Sequence, residues 1–236
     1  MDLVTLKKYR DFEDSNILYA DLMKYSKNPV TNESRSTNAH ETSHMISSQL
    51  RNEYKGNLNG FYYNGMSGIL IKQPNLTIKD VATYIPENLR GYRYQLYFVD
   101  QLKYWNDSPL YIMEEWNCYR IGGSVAVIDY QQNKDIERTD AVAGAFEFMI
   151  YSTALYMAIR DYDPVYFKNN KQFSFFYNYL VGYSDAVFTQ GRKIPAYKSE
   201  KSDKLYWEYQ SSQEGKEFRS FTDDLLKVRW TLNKVF

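Results

Sequence analysis

Ala141-Val-Ala-Gly-Ala-Phe-Glu-Phe-Met-Ile-Tyr-Ser-Thr-Ala-Leu-Tyr-Met-Ala-Ile159 is a run of nineteen residues interrupted by one carboxylate, Glu147. Its length would just span a bilayer. A carboxylate inside the run, the lack of a flanking basic cluster and a mean hydropathy of −0.61 for the whole chain point instead to the central buried helix of a globular domain. Pro164 should end that helix, and an aromatic helix is expected to follow as far as Gln190.

Outward from this helix, the chain reads as mostly helical. Leu3, Leu6, Tyr9 and Phe12, then Ile17, Leu18, Leu22 and Tyr25, recur at helical spacing and predict one or two short amphipathic helices before Pro29. Thr31 to Asn38 reads as a polar loop. The stretch from Asn38 to Tyr54 has no proline or glycine and predicts a helix that Gly56 and Gly60 stop. Between Gly60 and Lys72, Asn64-Gly65 sits among aromatic and β-branched residues, the pattern of a β-hairpin. Helices are then expected over Ile78 to Tyr84, Glu87 to about Trp105, and Pro109 to Tyr119, the last ended or broken by Gly122-Gly123. Ser124 to Tyr130 is compatible with strand or helix. Gly191 to Gly215 reads as a polar connection, and an amphipathic helix starts near Thr222. No repeat or shift of composition divides the chain. The expectation is one compact α+β domain over residues 1–236, mostly helical, with a small hairpin or reduced sheet.

The chain has 236 residues, enough for one ordinary core, and its 29 Lys and Arg balance 29 Asp and Glu. No global field draws it to nucleic acid or an anionic membrane. Its single cysteine, Cys118, cannot form an internal disulfide. Met1 to Asp14 carries Asp2, Lys7, Lys8 and Arg10 with no apolar run, so it does not read as a signal peptide, and a cytoplasmic setting is favoured over a secreted one. Asn32, Asn75 and Asn106 head glycosylation sequons that matter only in a secreted chain. The 24 tyrosines suit a ring-rich core or a tyrosine-lined cleft.

One constellation carries chemistry. The only histidines, His40 and His44, stand four residues apart on the predicted helix, with Glu41 directly after the first. Positions four apart diverge by only about 40° around a helix, so both imidazoles project from one face and can close on one ion. Glu41 lies to one side, able to reach a water on that ion without ligating, as a general base must. Random placement of two histidines would give this spacing with a following Glu about once in two thousand chains. The competing structural reading makes Asn38 the cap of the helix and Glu41 the other half of a capping box, with the histidines merely solvated.

The H-E-T-S-H segment resembles the zincin metallopeptidases, whose H-E-x-x-H helix supplies two zinc ligands and a glutamate. The resemblance implies that His40 and His44 bind Zn2+. It also implies that Glu41 takes a proton from a zinc-activated water and delivers it to the leaving amine of a peptide or protein substrate. With no third histidine, the remaining ligand must be a carboxylate. Leu110-Tyr-Ile-Met-Glu-Glu-Trp-Asn-Cys-Tyr119 is similar to the second-helix glutamate followed by aromatics in gluzincins of the lethal-factor-like kind. It favours Glu115 as ligand, with Glu114 as the alternative. Gluzincins often place an acidic residue four after this ligand, where this chain has Tyr119. Glu147 is the third candidate, as a ligand, as the group that holds a ligating imidazole, or as neither, being then a partly exposed glutamate on the helix edge or the partner of an arginine. Tyr119, with Tyr111 and Arg120 as alternatives, is the candidate to stabilise the oxyanion. Cys118 reads as a small buried apolar residue more readily than as a soft ligand. Only 39 residues precede His40, and they read as helical, so the sheet that zincins place before this helix is expected to shrink to the hairpin. Two other functions compete: a non-catalytic binding module stabilised by zinc, and an aromatic-rich interaction protein without metal.

Overall fold

The computed structural model describes residues 15–64, 67–132 and 139–232. Among them the chain is mostly helical, with one two-stranded antiparallel sheet. Helix α1 (Ser15–Tyr25) and helix α2 (Arg35–Tyr54) lead into strands β1 (Leu58–Asn64) and β2 (Ser67–Lys72). A short α3 (Ile78–Ala82) and α4 (Leu102–Trp105) bracket irregular turns, and two long helices follow, α5 (Tyr111–Gln131) and α6 (Ala141–Tyr162). The chain closes with α7 (Pro164–Asn169), α8 (Lys171–Gly191), α9 (Glu200–Ser211) and α10 (Gln213–Leu232). The expected helical spacing at Leu3 to Phe12 and the glycine of the hairpin turn lie outside the described residues.

Helices α5 and α6 form the centre. Helix α6 is long and apolar enough to cross a bilayer, yet it is enclosed by α5, α8, α7, α3 and α10. This is the environment expected of a core helix, since an all-round apolar surface needs partners on every side. Helix α5 is buried from Ile112 to Asp129, with α6, α2 and α8 against different faces. Its Trp116 indole donates to Ser184 Oγ at 2.8 Å, and Asn117 Nδ2 donates to the Tyr62 carbonyl at 2.9 Å. Those bonds fix its rotation relative to α8 and β1.

Gly122 and Gly123 do not end α5. A Cβ at Gly122 would stand 3.0 Å from the Ser36 carbonyl oxygen and 3.3 Å from His40 Cβ. The missing side chain lets α2 lie close against α5, an advantage of packing that outweighs the roughly 1 kcal/mol helix penalty of glycine. Residues 124–130 continue the helix for the same reason: they are inside the packed stack.

Three further boundaries depart from the expectation. Helix α2 starts at Arg35, capped by Ser34, whose Oγ accepts from Thr37 N. Asn38 lies inside the helix and binds back to the preceding loop, its Nδ2 donating to Glu33 O at 2.7 Å and its Oδ1 accepting from Glu33 N at 3.0 Å. The Asn38–Glu41 capping box is therefore not formed. The stretch 87–105 is not one helix: a 3-10 turn at Glu87–Leu89, a π-helical turn at Leu96–Asp100 and α4 replace it. Residues 191–215 contain α9, opened by a box in which Ser199 and Ser202 cap each other and held down by buried Leu205 and Tyr209. Helix α10 correspondingly begins at Gln213, before Thr222.

Candidate metal centre

Helix α2 has few apolar residues on its buried side. Ser36, Asn38, His40, Thr42, Ser43 and Ser47 are all buried, which is costly for polar groups unless they find partners. Ser43 Oγ donates to Ala39 O at 2.8 Å, and Thr42 Oγ1 accepts from Val30 N at 3.0 Å. His44 finds its partner on α5, where Glu114 Oε1 is 3.0 Å from Nδ1.

His40, His44 and Glu115 each offer one donor atom, and those atoms lie within 4.8 Å of one another. His44 Nε2 is 3.3 Å from Glu115 Oε1, and His40 Nε2 is 3.8 Å from Glu115 Oε2. Bonds of about 2.1 Å to a tetrahedral zinc place neighbouring donors about 3.4 Å apart. The two carboxylate–imidazole separations, one to each oxygen of Glu115, lie either side of that value, and the whole donor set fits within 4.8 Å. The two imidazoles meet edge-on, with ring centroids 5.0 Å apart, as helix neighbours at i and i+4 should. Glu41, on the adjoining position, has a side chain 44% exposed, with Oε1 4.0 Å from His40 Nε2. It is the one carboxylate of the group that faces solvent.

Glu115 is 3% exposed, and among the described residues no lysine or arginine forms an ion pair with it; its ionic contacts are the two imidazoles. Tyr97 Oη donates to its Oε2 at 3.1 Å, and Tyr111 stands four residues earlier on α5, within the field of the same carboxylate. Burial, with the Glu115 charge adding to it, holds both phenols well above their usual range, so they remain donors.

Glu114 does not join the cluster but supports it. Its Oε1 is 3.0 Å from His44 Nδ1, while Oε2 accepts from Arg51 and, at 3.1 Å, from Asn59 Nδ2. Arg51 also donates to Asn59 Oδ1 at 2.7 Å. Burial alone would raise the Glu114 carboxyl, but the His44 bond and the charges of His44 and Arg51 hold it below its usual range. Burial likewise lowers the His44 imidazole, and Cys118, Glu115 and Glu114 outweigh that and lift it well above its ordinary value. Two buried carboxylates against one arginine leave a negative charge that a proton on His44 or a cation must balance. With Nδ1 committed to Glu114, Nε2 is the nitrogen turned toward Glu115, the arrangement in which a carboxylate fixes a ligating imidazole.

The remaining candidates fall around this cluster. Glu147 on α6 is buried and paired with Arg93: Nη1 donates to Oε2 at 3.0 Å, Arg93 N to Oε1 at 2.5 Å, and Tyr151 Oη to Oε1 at 2.7 Å. It takes the arginine-partner place among the alternatives. Tyr119 stands behind His40, its ring edge-on to the imidazole at 4.6 Å, stacked on Phe148 and lying under the Arg93 guanidinium. Gly144 makes room for that ring, since a Cβ there would fall 2.1 Å from Tyr119 Cδ1. Arg120, five residues beyond Glu115, projects about 140° around α5 from it. It bonds Asn117 Oδ1 at 2.6 Å beneath the rings of Tyr179 and Tyr183. Cys118 is buried beside His44, and burial pushes its thiol up to about 11 against the pull of that imidazole.

Arg51, Asn59 and Tyr97 escaped the sequence reading. Arg51 follows His44 by seven residues, two helical turns and nearly the same face, so its approach to Glu114 had a periodic signal. Tyr97 had none, because a π-helical turn changes the register of the side chains around it. Compared with known proteins, the chain matches no protein-family model, no curated protein and no solved structure.

Proposed function

We propose that this chain is a zinc-dependent metallopeptidase of the zincin kind, with His40, His44 and Glu115 as the metal ligands. One observation carries the reading: a buried carboxylate, Glu115, whose only ionic contacts among the described residues are two imidazoles with donor spacing suited to a tetrahedral ion. Buried charge needs a counter-charge, and two imidazole nitrogens with a carboxylate oxygen are the donor set of hydrolytic zinc sites that keep a position open.

When bound, zinc polarises a carbonyl and brings the pKa of a coordinated water to about 7. The protein's own groups do the rest. Glu114 holds His44 by Nδ1, so the ring keeps its Nε2 lone pair toward the centre. Glu41 reaches the site from its exposed edge, accepts a proton from the attacking water and gives it to the amine that departs. Tyr119, enclosed behind His40, steadies that ring.

A closed structural zinc centre, the rival reading, asks for four protein donors. The group that comes together among the described residues has three. The deciding experiment pairs metal analysis with turnover. Protein dialysed against trace zinc should retain one equivalent, and cleave a mixed peptide library in a chelator-sensitive way. Glu41→Gln should keep the zinc and lose the cleavage. Zinc-free protein after dialysis, or an unchanged rate in Glu41→Gln, would refute the assignment.

A further inference from the structure

We infer that Tyr97 is a positioning residue: the π-helical turn Leu96–Asp100 brings its hydroxyl to Glu115 Oε2 and thereby holds the carboxylate in the rotation that turns Oε1 to His44 and Oε2 to His40. The inference rests on the metal reading above and deepens it.

The turn is unusual for its sequence. Gln101 N donates to Leu96 O at 2.9 Å, a span of five residues, so one extra residue is accommodated in the turn. Leu96 and Val99 are left exposed while Phe98 is buried and Tyr97 turns to Glu115. A plain amphipathic helix would not put two aliphatic side chains in water. The inward contacts offset this arrangement. The Tyr97 ring meets Phe148 edge-on at 4.9 Å and leans on Tyr111 at 6.2 Å, and its hydroxyl donates to Oε2 at 3.1 Å.

A carboxylate has two oxygens and about four lone-pair sites, so an unrestrained Glu115 could rotate about its last bond and present either oxygen or both. Tyr97 occupies Oε2. Oε1 is the oxygen 3.3 Å from His44 Nε2, close to the donor spacing of a tetrahedral ion, whereas Oε2 stands 3.8 Å from His40 Nε2. The hydrogen bond takes one lone pair of Oε2 and so restrains that rotation, with Oε1 held as the oxygen nearer an imidazole nitrogen.

The test uses cobalt(II), whose visible spectrum reports ligand number, and the full chain. Affinity is measured by competition with a chromophoric chelator for the wild type, Tyr97→Phe, Tyr97→His and, as control, the exposed Tyr104→Phe. Tyr97→Phe keeps the ring, so the metal-free melting temperature should stay near the wild-type value. Its cobalt affinity should fall about 10-fold or more, with weaker visible bands as the carboxylate swings to two-oxygen binding. Tyr97→His, which retains a donor, should recover part of both; Tyr104→Phe should change neither. Equal affinity and spectrum in Tyr97→Phe would overturn the inference while leaving the metal site standing. An equal loss in Tyr97→His would assign the effect to packing and overturn it too. A wild type that binds neither cobalt nor zinc removes the site itself.

Discussion

Glu114 and His44 meet at 3.0 Å through Oε1 and Nδ1, so two successive residues of α5 address the two nitrogens of one imidazole, Glu114 from behind and Glu115 from the front. The pairing supplies the group that orients His44, a place left open by Tyr119 four residues after Glu115. Partners of this kind contribute about 10- to 100-fold to metal affinity. Glu114→Gln should weaken zinc binding by that factor in a chelator-competition titration while keeping one site per chain. Glu115→Gln, which removes the proposed carboxylate ligand, should abolish binding under the same conditions. Equal losses in the two variants would contradict the division of labour between them.

Glu147 separates structure from metal binding. Removing its side chain leaves the Arg93 guanidinium buried with the more exposed Asp140, at 2.6 Å, as its remaining ionic partner among the described residues. Breaking a buried pair from one side typically costs about 3–5 kcal/mol, and the retained Asp140 contact should put Glu147→Ala at the lower end. Urea unfolding measures the loss. Zinc stoichiometry at a temperature where the variant is folded should remain one per chain. A variant that folds normally and has lost its zinc would instead make Glu147 a ligand.

How far the sequence was legible depends on which force set each feature. The H-E-T-S-H helix, the hairpin and the apolar Ala141–Ile159 helix were readable because each rests on local periodicity or turn chemistry, and the coordinates bring His40, His44 and Glu115 together. The ends of elements were not. Gly122-Gly123 has the local signature of a helix stop, yet packing against α2 and α8 keeps α5 intact. Ser199 and Ser202 cap α9 without the acidic partner that usually marks a box, although Leu205 and Tyr209 at i and i+4 gave its buried face. The choice between Glu114 and Glu115 turned on about 100° of helix rotation, which tertiary contacts at Trp116 and Asn117 decide.

Gly144 provides a test of the packing behind His40. Gly144→Ala would put a methyl where the Tyr119 ring now lies, and that ring is already stacked on Phe148 and edge-on to His40. Overpacking of this kind costs about 1–3 kcal/mol, here partly offset by the better helix propensity of alanine. Thermal unfolding should show a net loss. The double variant Gly144→Ala with Tyr119→Leu should recover stability, and full additivity of the two changes would argue against the contact.

Alkaline pH should unfold this protein cooperatively, and the sign follows from its tyrosines. Burial first, and nearby carboxylates or phenols second, hold the hydroxyls of Tyr151, Tyr166 and Tyr209 above their ordinary value of 10.0 in the folded chain. Tyr151 donates to Glu147, and Tyr166 donates to the Lys72 carbonyl at 2.6 Å, so both bonds require the protonated form. Below pH 10 this contribution is fully present. As pH rises through and beyond 10, the unfolded chain releases protons that the folded chain retains, and stability falls by up to about 1.4 kcal/mol per pH unit for each such group. Three together approach about 4 kcal/mol per unit, large against a typical domain stability of about 5–15 kcal/mol. Phenolate absorbance and circular dichroism followed together should show Tyr151, Tyr166 and Tyr209 ionising in one step with the loss of helix. Tyr166→Phe should be less stable at neutral pH by about 1 kcal/mol for the lost hydrogen bond, yet lose stability less steeply above pH 10. A single smooth titration of all tyrosines with the helical signal intact would show that the buried hydroxyls are not held protonated by the fold.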